Sequence, residues 1–178
     1  MLDLKITGGR LIDGTGAPAR PGDVGVTGDA ITAVGDLSRE PAGRTIDASG
    51  RTVAPGFIDM HSHSDWRLWD NRRAESKIRQ GVTTEVVGNC GFSPAPVSDQ
   101  FRDEMRGFAL YLPAGMDFSW RSVGEYLARY ESEGVALNVV QLIGHGTLRL
   151  AAMGFARRAP PAAGQADQGG VVDEAVGE

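Results

Sequence analysis

Residues 52–63 read TVAPGFIDMHSH, a mostly apolar run that ends at two histidines. A continuous apolar run is typical of a strand that is buried on both faces of a parallel α/β sheet. Residues 82–87 are β-branched and residues 135–143 are apolar, so both segments fit the same kind of strand. Helix-competent stretches at residues 71–80 and 122–133 separate the three runs. This alternation predicts an α/β fold with a parallel sheet.

The preceding segment, residues 1–51, has a different style. Leu2, Leu4 and Ile6 alternate with polar neighbours, as in a half-buried strand. Thr27-Gly28-Asp29 is a turn signal between two further strand-like stretches. No helical period occurs here, so the segment predicts part of a small antiparallel β layer.

The remaining segments add one clear helix. Ser122 and Glu125 have the spacing of a capping box, and Val123, Tyr126 and Tyr130 give one apolar helical face that Gly134 ends. Residues 88–118 are rich in Gly and Pro and predict a loop, and residues 147–153 predict a short helix. Residues 159–178 have no apolar period, so we expect a tail that is disordered or foreign to the fold.

Composition limits the possible partners and the compartment. The chain has 178 residues and a formal net charge of −5, which gives no electrostatic reason to bind nucleic acid or an anionic membrane. No apolar run approaches the roughly 18 residues of a transmembrane helix, and the N-terminus does not resemble a signal peptide. The single cysteine, Cys90, cannot form an internal disulfide. We therefore expect a soluble cytoplasmic protein.

His61 and His63 are the first candidates for chemistry. On a strand, residues i and i+2 face the same way, so two imidazoles at this spacing can reach one metal ion. Functional groups of parallel α/β folds collect at the carboxyl ends of strands, and these histidines follow such a strand. Imidazole suits zinc, iron and nickel. The alternative is a chance His-x-His in a loop.

Cys90 and His145 also follow predicted strands. A thiolate is a strong zinc ligand, although a lone cysteine is more commonly a buried core residue. His145 is either a site residue or a structural histidine. Neither alternative is settled by position alone.

Four charged residues are secondary candidates. Asp59 and Asp65 flank the histidine pair and have the chemistry to orient an imidazole, although the role of Asp65 stays open. Arg67 and Arg149 have the chemistry to bind a carboxylate, although most arginines are simply solvated.

Two motifs resemble a known family. Residues 53–63, VAPGFIDMHSH, resemble the first metal motif of the amidohydrolase superfamily. Residues 88–96, GNCGFSPAP, resemble the N-acyl-D-amino-acid deacylase branch, in which a cysteine stands where many relatives carry a carboxylated lysine. Residues 144–149, GHGTLR, are similar to the same branch. The resemblance implies strands of a small β-sandwich domain in residues 1–51 and the first units of a TIM-like (β/α)8 barrel in residues 52–158, as a truncated version of that fold.

The resemblance also implies roles. His61, His63 and Cys90 would bind zinc, as one or two ions in the complete site, and His145 would lie in the active site as a substrate-binding residue. A general-base aspartate and two more histidine ligands would lie beyond residue 178, so the catalytic residues of this chain stay unknown. The implied partner is a small N-acyl amino acid, with no nucleic acid and no membrane, and the oligomeric state stays open.

The implied reaction is hydrolysis of an N-acyl-D-amino acid to a carboxylate and a D-amino acid, with zinc activating the water. A cyclic-amide hydrolase, similar to a hydantoinase or dihydroorotase, is the alternative enzyme, and the cysteine speaks against it. A third possibility is an inactive fragment, because the general base and half of the metal ligands that the resemblance implies are missing from this sequence. Three parallel strands would also leave an exposed edge. We expect the isolated chain to be poorly soluble or inactive.

Overall fold

The computed structural model describes residues 1–159 and divides into two compact units, Met1–Pro55 and a second that begins at Gly56. Residues 160–178, nearly all of the predicted tail, lie outside the described residues. Within residues 1–159, no helix is long and apolar enough to cross a membrane.

The first unit is a single five-stranded sheet in the order β3-β2-β1-β4, with β5 also paired to β1. The strands are β1 (Leu2–Leu11), β2 (Arg20–Thr27), β3 (Ala30–Gly35), β4 (Ala42–Asp47) and β5 (Thr52–Val53). The pairs β1–β2 and β2–β3 are antiparallel, whereas β4 and β5 lie parallel to β1. The strands and turns predicted for this segment are confirmed, but the sheet is mixed and not wholly antiparallel.

The turn between β2 and β3 lies at the predicted position. Gly28 has a φ of 61°, a left-handed conformation that glycine adopts without strain. Its backbone N–H donates to Asp3 Oδ2 at 2.7 Å, so an acidic side chain of β1 holds the turn in place.

The second unit contains a parallel sheet in the order β6-β7-β8. Its elements are β6 (Phe57–Asp59), α1 (Glu75–Ile78), β7 (Val82–Val87), α2 (Arg102–Phe108), α3 (Val123–Glu133), β8 (Asn138–Gln141) and α4 (His145–Met153). Short 3-10 turns lie at Ser64–Trp66 and Asp99–Phe101. Because the strands are parallel, the segments that follow them leave from the same edge of the sheet.

The apolar run over residues 52–60 is not one buried strand, so that prediction is wrong. It divides at Pro55-Gly56 into β5, which pairs with β1, and β6, which pairs with β7. Proline lacks the N–H that a continuous ladder needs. β6 is also an edge strand, and Phe57 and Ile58 are 61% and 59% exposed.

Helix predictions succeed where the apolar period is clear. α3 is confirmed, and Ser122 Oγ accepts the Glu125 backbone N–H at 3.1 Å as its N-terminal cap. In contrast, the helix predicted over residues 71–80 is only the single turn α1, and the predicted loop over residues 88–118 contains α2. α4 begins at His145, two residues before the predicted start.

An aromatic core supports the segments that leave the sheet edge. Trp66, Phe118, Trp120 and Tyr126 are almost completely buried and contact one another through ring pairs. The Trp120 Nε1–H donates to the Pro94 carbonyl at 2.9 Å. Buried rings of this size contribute several kcal/mol each, roughly 3–5 on truncation to alanine. The core therefore fixes the segments after β6 and β7, which carry the candidate site.

Candidate metal centre

The structure brings three of the predicted site residues together. The ligand atoms of His61, His63 and Cys90 all lie within 4.8 Å of one another. His61 Nε2 and Cys90 Sγ are 3.1 Å apart, and the two imidazole centroids are 5.7 Å apart. Within residues 1–159, this is the one group of three or more His, Cys, Asp or Glu residues with spacing suited to a metal ion.

These residues fit a zinc ion by spacing and by chemistry. Zn–N and Zn–S bonds of about 2.0 and 2.3 Å in a tetrahedron place two nitrogens and one sulfur about 3.3–3.6 Å apart. Shifts of about 1 Å or less would bring the present atoms to that spacing. His63 Nδ1 is buried and has no hydrogen-bond partner among the described residues. Three protein ligands with an open side also match the usual composition of a catalytic zinc site.

The backbone around Cys90 is tightly constrained. The Asn89 side-chain amide donates to the carbonyls of Ser62 and Val86, at 3.2 and 2.8 Å, and so connects the segments after β6 and β7. Cys90 itself has a φ of 56°, which is uncommon for a residue with a side chain. Cys90 is exposed, so it does not behave as a core cysteine.

Gly88 lies where the backbone after β7 passes close to the backbone after β8. A Cβ at this position would lie 2.0 Å from the Leu142 carbonyl oxygen, and the φ of Gly88 is 81°. Only glycine allows the end of β7 to pass so close to the end of β8.

A charged network lies behind the histidine pair. Glu85, on β7, is completely buried, and its Oε1 lies 2.7 Å from Lys77 Nζ and 3.0 Å from Ser62 Oγ. Its Oε2 accepts a hydrogen bond from Ser64 Oγ. Lys77 Nζ also contacts Asp59 Oδ2 at 2.6 Å. The network therefore connects β6, α1 and β7 beneath the candidate ligands.

The network sets the charges of its members. The hydrogen bond from Lys77, with a second from the His61 backbone N–H, lowers the pKa of Asp59 below its usual value. Partial burial disfavours the Lys77 charge, but the hydrogen bonds to Asp59 and Glu85 outweigh it and raise the pKa of Lys77. The lysine is therefore an ammonium that faces two carboxylates.

Asp65 forms a second buried carboxyl site. Its Oδ2 accepts the Gly88 backbone N–H at 3.0 Å, and its carbonyl accepts the hydroxyls of Tyr126 and Tyr130 at 2.6 and 2.8 Å. Burial raises the pKa of Asp65 to about 7, against the opposing effect of hydrogen bonds from Trp66, Gln141 and Gly88. Asp65 thus connects the histidine segment to the loop that carries Cys90.

The structure gives the two aspartates partners other than the imidazoles. Asp59 accepts the backbone N–H of His61 at 3.2 Å, and Asp65 binds the Gly88 backbone. Neither carboxylate hydrogen-bonds an imidazole ring. Their partners are the Lys77 ammonium and main-chain donors.

His145 lies outside the three-residue group. It is an exposed residue in the first turn of α4, and its ring makes no hydrogen bond with a described residue. Its neighbours nevertheless contact the Cys90 loop. The Gly91 carbonyl accepts the Thr147 N–H at 3.2 Å, and Thr147 Oγ1 accepts the Ser93 N–H at 2.9 Å. The start of α4 is therefore packed on the loop that holds the thiol.

The two arginines have structural partners. Arg149 donates to the carbonyls of Ala156 and Arg158, at 2.7 and 2.9 Å. The Arg67 guanidinium lies 3.9 Å from the centre of the Tyr111 ring. These contacts therefore do not support a role for Arg67 or Arg149 in binding a substrate carboxylate.

The sequence patterns did not single out Glu85, a buried carboxylate that contacts Ser62, Ser64 and Lys77. Its signal is a single carboxylate within the otherwise apolar and β-branched segment VTTEVV. A charge in a strand that is buried on both faces requires a partner, and Lys77 on the preceding helix is that partner.

Comparisons with known proteins identify the family of this chain. A sequence profile of the amidohydrolase family matches residues 44–178. The chain belongs to the amidohydrolase family. The resemblance found in the sequence motifs is thereby confirmed.

Among curated relatives, an N-acyl-D-glutamate deacylase of Alcaligenes xylosoxydans xylosoxydans is 46% identical over 154 residues, which cover 85% of this chain and 30% of the relative. A D-aminoacylase of the same organism is 43% identical over 157 residues, covering 88% of this chain and 32% of the relative. The chain therefore spans about a third of the length of the curated relatives it matches.

Solved structures give the same result. A D-aminoacylase with a binuclear metal centre has a TM-score of 0.87 and 40% identity, over 99% of this chain and 37% of that one. The N-acyl-D-glutamate deacylase of Bordetella bronchiseptica, solved with zinc and a phosphonate inhibitor that mimics the tetrahedral intermediate, has a TM-score of 0.86 and 40% identity, over 99% of this chain and 36% of that one.

Proposed function

We propose that this chain forms the N-terminal part of a zinc-dependent amidohydrolase that hydrolyses N-acyl-D-amino acids. The observation that carries the proposal is the convergence of His61, His63 and Cys90 at one edge of a parallel sheet. Relatives that are more than 40% identical bear the names N-acyl-D-glutamate deacylase and D-aminoacylase, which supports this substrate class.

The proposed complete fold is a (β/α)8 barrel that is accompanied by a small β-sandwich. β6, β7 and β8 would be the first three barrel strands, and the five-stranded sheet would be one layer of the sandwich. The likeness to about a third of each D-aminoacylase structure supports this assignment. Carboxyl ends of barrel strands are where such folds hold their active sites, and all three candidate ligands follow β6 or β7.

Each candidate ligand of this chain would contribute a different group to the zinc site. When bound, zinc supplies Lewis-acid activation of a water and of the substrate amide carbonyl. Cys90 offers a thiolate, and His61 and His63 offer neutral nitrogens, so the protein contributes one negative charge to the ion. His61 and Cys90 are exposed, which leaves one side of the site open to a small substrate.

The proposal is tested with a chimaera. Residues 1–159 would replace the aligned segment of the Alcaligenes D-aminoacylase, and release of D-amino acid would be measured on N-acetyl-D-glutamate, N-acetyl-D-leucine and their L-isomers. We expect zinc-dependent, D-selective hydrolysis that is lost with Cys90→Ala. A folded chimaera that binds zinc but releases no D-amino acid would contradict the proposed substrate class.

The 178-residue chain is assayed beside the chimaera. We expect it to bind zinc without turnover, because its sequence contains three histidines and the family resemblance implies two more as ligands. Hydrolysis by the chain alone would show that the three described ligands are sufficient.

A further inference from the structure

Glu85 contacts the residues on either side of His63. Ser62 and Ser64 flank His63 in the segment that follows β6. Both serine hydroxyls donate to the Glu85 carboxylate, Ser62 Oγ at 3.0 Å from Oε1 and Ser64 Oγ to Oε2. One buried carboxylate therefore holds the backbone of His63 from two directions.

Lys77 extends this hold to His61. Its ammonium contacts Glu85 Oε1 at 2.7 Å and Asp59 Oδ2 at 2.6 Å. Asp59 Oδ1 then accepts the backbone N–H of His61 at 3.2 Å. The series Glu85–Lys77–Asp59 therefore reaches the backbone of His61. Its first two members, Glu85 and Lys77, also contact Ser62.

A charged pair is not what stability alone would select here. Glu85 is completely buried on β7, and the next two residues of that strand, Val86 and Val87, are buried valines. Removing a carboxylate from water costs several kcal/mol, and well-packed apolar residues often replace buried ion pairs without loss of stability. A fully satisfied polar network does, however, fix one geometry. Its benefit here would be the placement of the histidines.

We propose that Glu85 is a positioning residue, which acts through Ser62 and Ser64 to set the two imidazoles for metal binding, with Lys77 as its required counter-charge. This inference rests on the proposed metal centre. Residues that orient metal ligands typically change metal affinity by about 10–100-fold when they are altered.

The test compares variants of the full 178-residue chain by zinc affinity, measured by competition with a chelating dye, and by the absorption spectrum of the Co²⁺-loaded protein. Glu85→Gln keeps the volume and removes the charge, and we expect at least about a tenfold loss of zinc affinity and an altered Co²⁺ spectrum. The control is Glu75→Gln, the same change at a half-exposed side chain that forms an ion pair with Arg73. It should leave the zinc affinity and the Co²⁺ spectrum unchanged.

A double variant separates positioning from stability. Glu85→Leu with Lys77→Met removes both charges, and we expect metal-free thermal unfolding close to that of the wild type together with the same loss of zinc affinity. If the double variant does not fold, the zinc affinities of Glu85→Gln and Ser62→Ala test the positioning role, since each substitution removes a contact with little change in volume.

The outcomes are distinguishable. Wild-type zinc affinity and an unchanged Co²⁺ spectrum in folded Glu85→Gln would overturn the positioning role and leave the metal centre intact. Absence of zinc binding by the wild-type chain would overturn the three-residue metal centre and, with it, the positioning role, whereas the substrate class is decided by the chimaera.

Discussion

Cys90 Sγ lies 3.1 Å from His61 Nε2, although 29 positions separate the two residues in the sequence. Parallel pairing of β6 with β7 creates this contact, because it brings the segments after both strands to one edge. The thiol and the imidazole are therefore brought together by the pairing of the two strands.

Substitutions at Cys90 and at His145 should have different effects on zinc affinity. We expect Cys90→Ser to weaken zinc binding by the 178-residue chain by about 100-fold or more, because a neutral hydroxyl replaces a thiolate. His145→Ala should change the affinity by less than about threefold, because His145 lies outside the three-residue group. Isothermal titration with zinc measures both. Equal losses in the two variants would contradict the assignment of ligands.

Asp65 should make the metal-free protein less stable as pH rises. Burial raises its pKa in the folded protein to about 7, whereas an unfolded aspartate titrates near 3.9. Between these values the folded state holds a proton that the unfolded state has released. The free energy of unfolding should therefore fall from about pH 4 to about pH 7, by at most about 4 kcal/mol, and then level off.

Asp65→Asn removes this titration. The free energy of unfolding of metal-free protein is measured with urea at pH 5 and pH 8. We expect the difference between the variant and the wild type to shift in favour of the variant from pH 5 to pH 8. Asp29→Asn, in the exposed β2–β3 turn, is the control and should follow the wild-type profile. A difference between Asp65→Asn and the wild type that is the same at both pH values would refute a titrating Asp65.

Gly88 should not tolerate a side chain. Gly88→Ala would place a Cβ 2.0 Å from the Leu142 carbonyl oxygen at a φ of 81°, so we expect a loss of about 2–4 kcal/mol in the free energy of unfolding. Gly107→Ala is the matched control, since Gly107 lies in α2 and a Cβ there meets nothing within 4 Å. That variant should gain up to about 1 kcal/mol. Similar effects of the two changes in urea unfolding would contradict the close approach of β7 to β8.

Much of the site could be predicted from the sequence because its signals are local. The β-branched segment at Val82–Val87 is a strand, and the capping serine and apolar period of α3 mark a helix. The positions of His61, His63 and Cys90 after strands predicted that they would meet, and their ligand atoms do lie within 4.8 Å.

The errors arise where tertiary contacts decide the structure. α2 buries one residue, Met105, and contains a glycine, so its sequence carries no clear apolar period. The break at Pro55-Gly56 separates two strands that composition alone joins. The partners of Asp59 and Asp65 are an ammonium and main-chain donors, and neither can be identified from spacing to the histidines.

X-ray absorption at the zinc edge would show whether His61, His63 and Cys90 bind one zinc ion. Zinc-loaded 178-residue chain should show one sulfur at about 2.3 Å and nitrogen or oxygen neighbours at about 2.0–2.1 Å, including imidazole scattering. The sulfur shell should disappear in Cys90→Ser. A wild-type spectrum with nitrogen and oxygen neighbours but no sulfur would contradict the proposed centre.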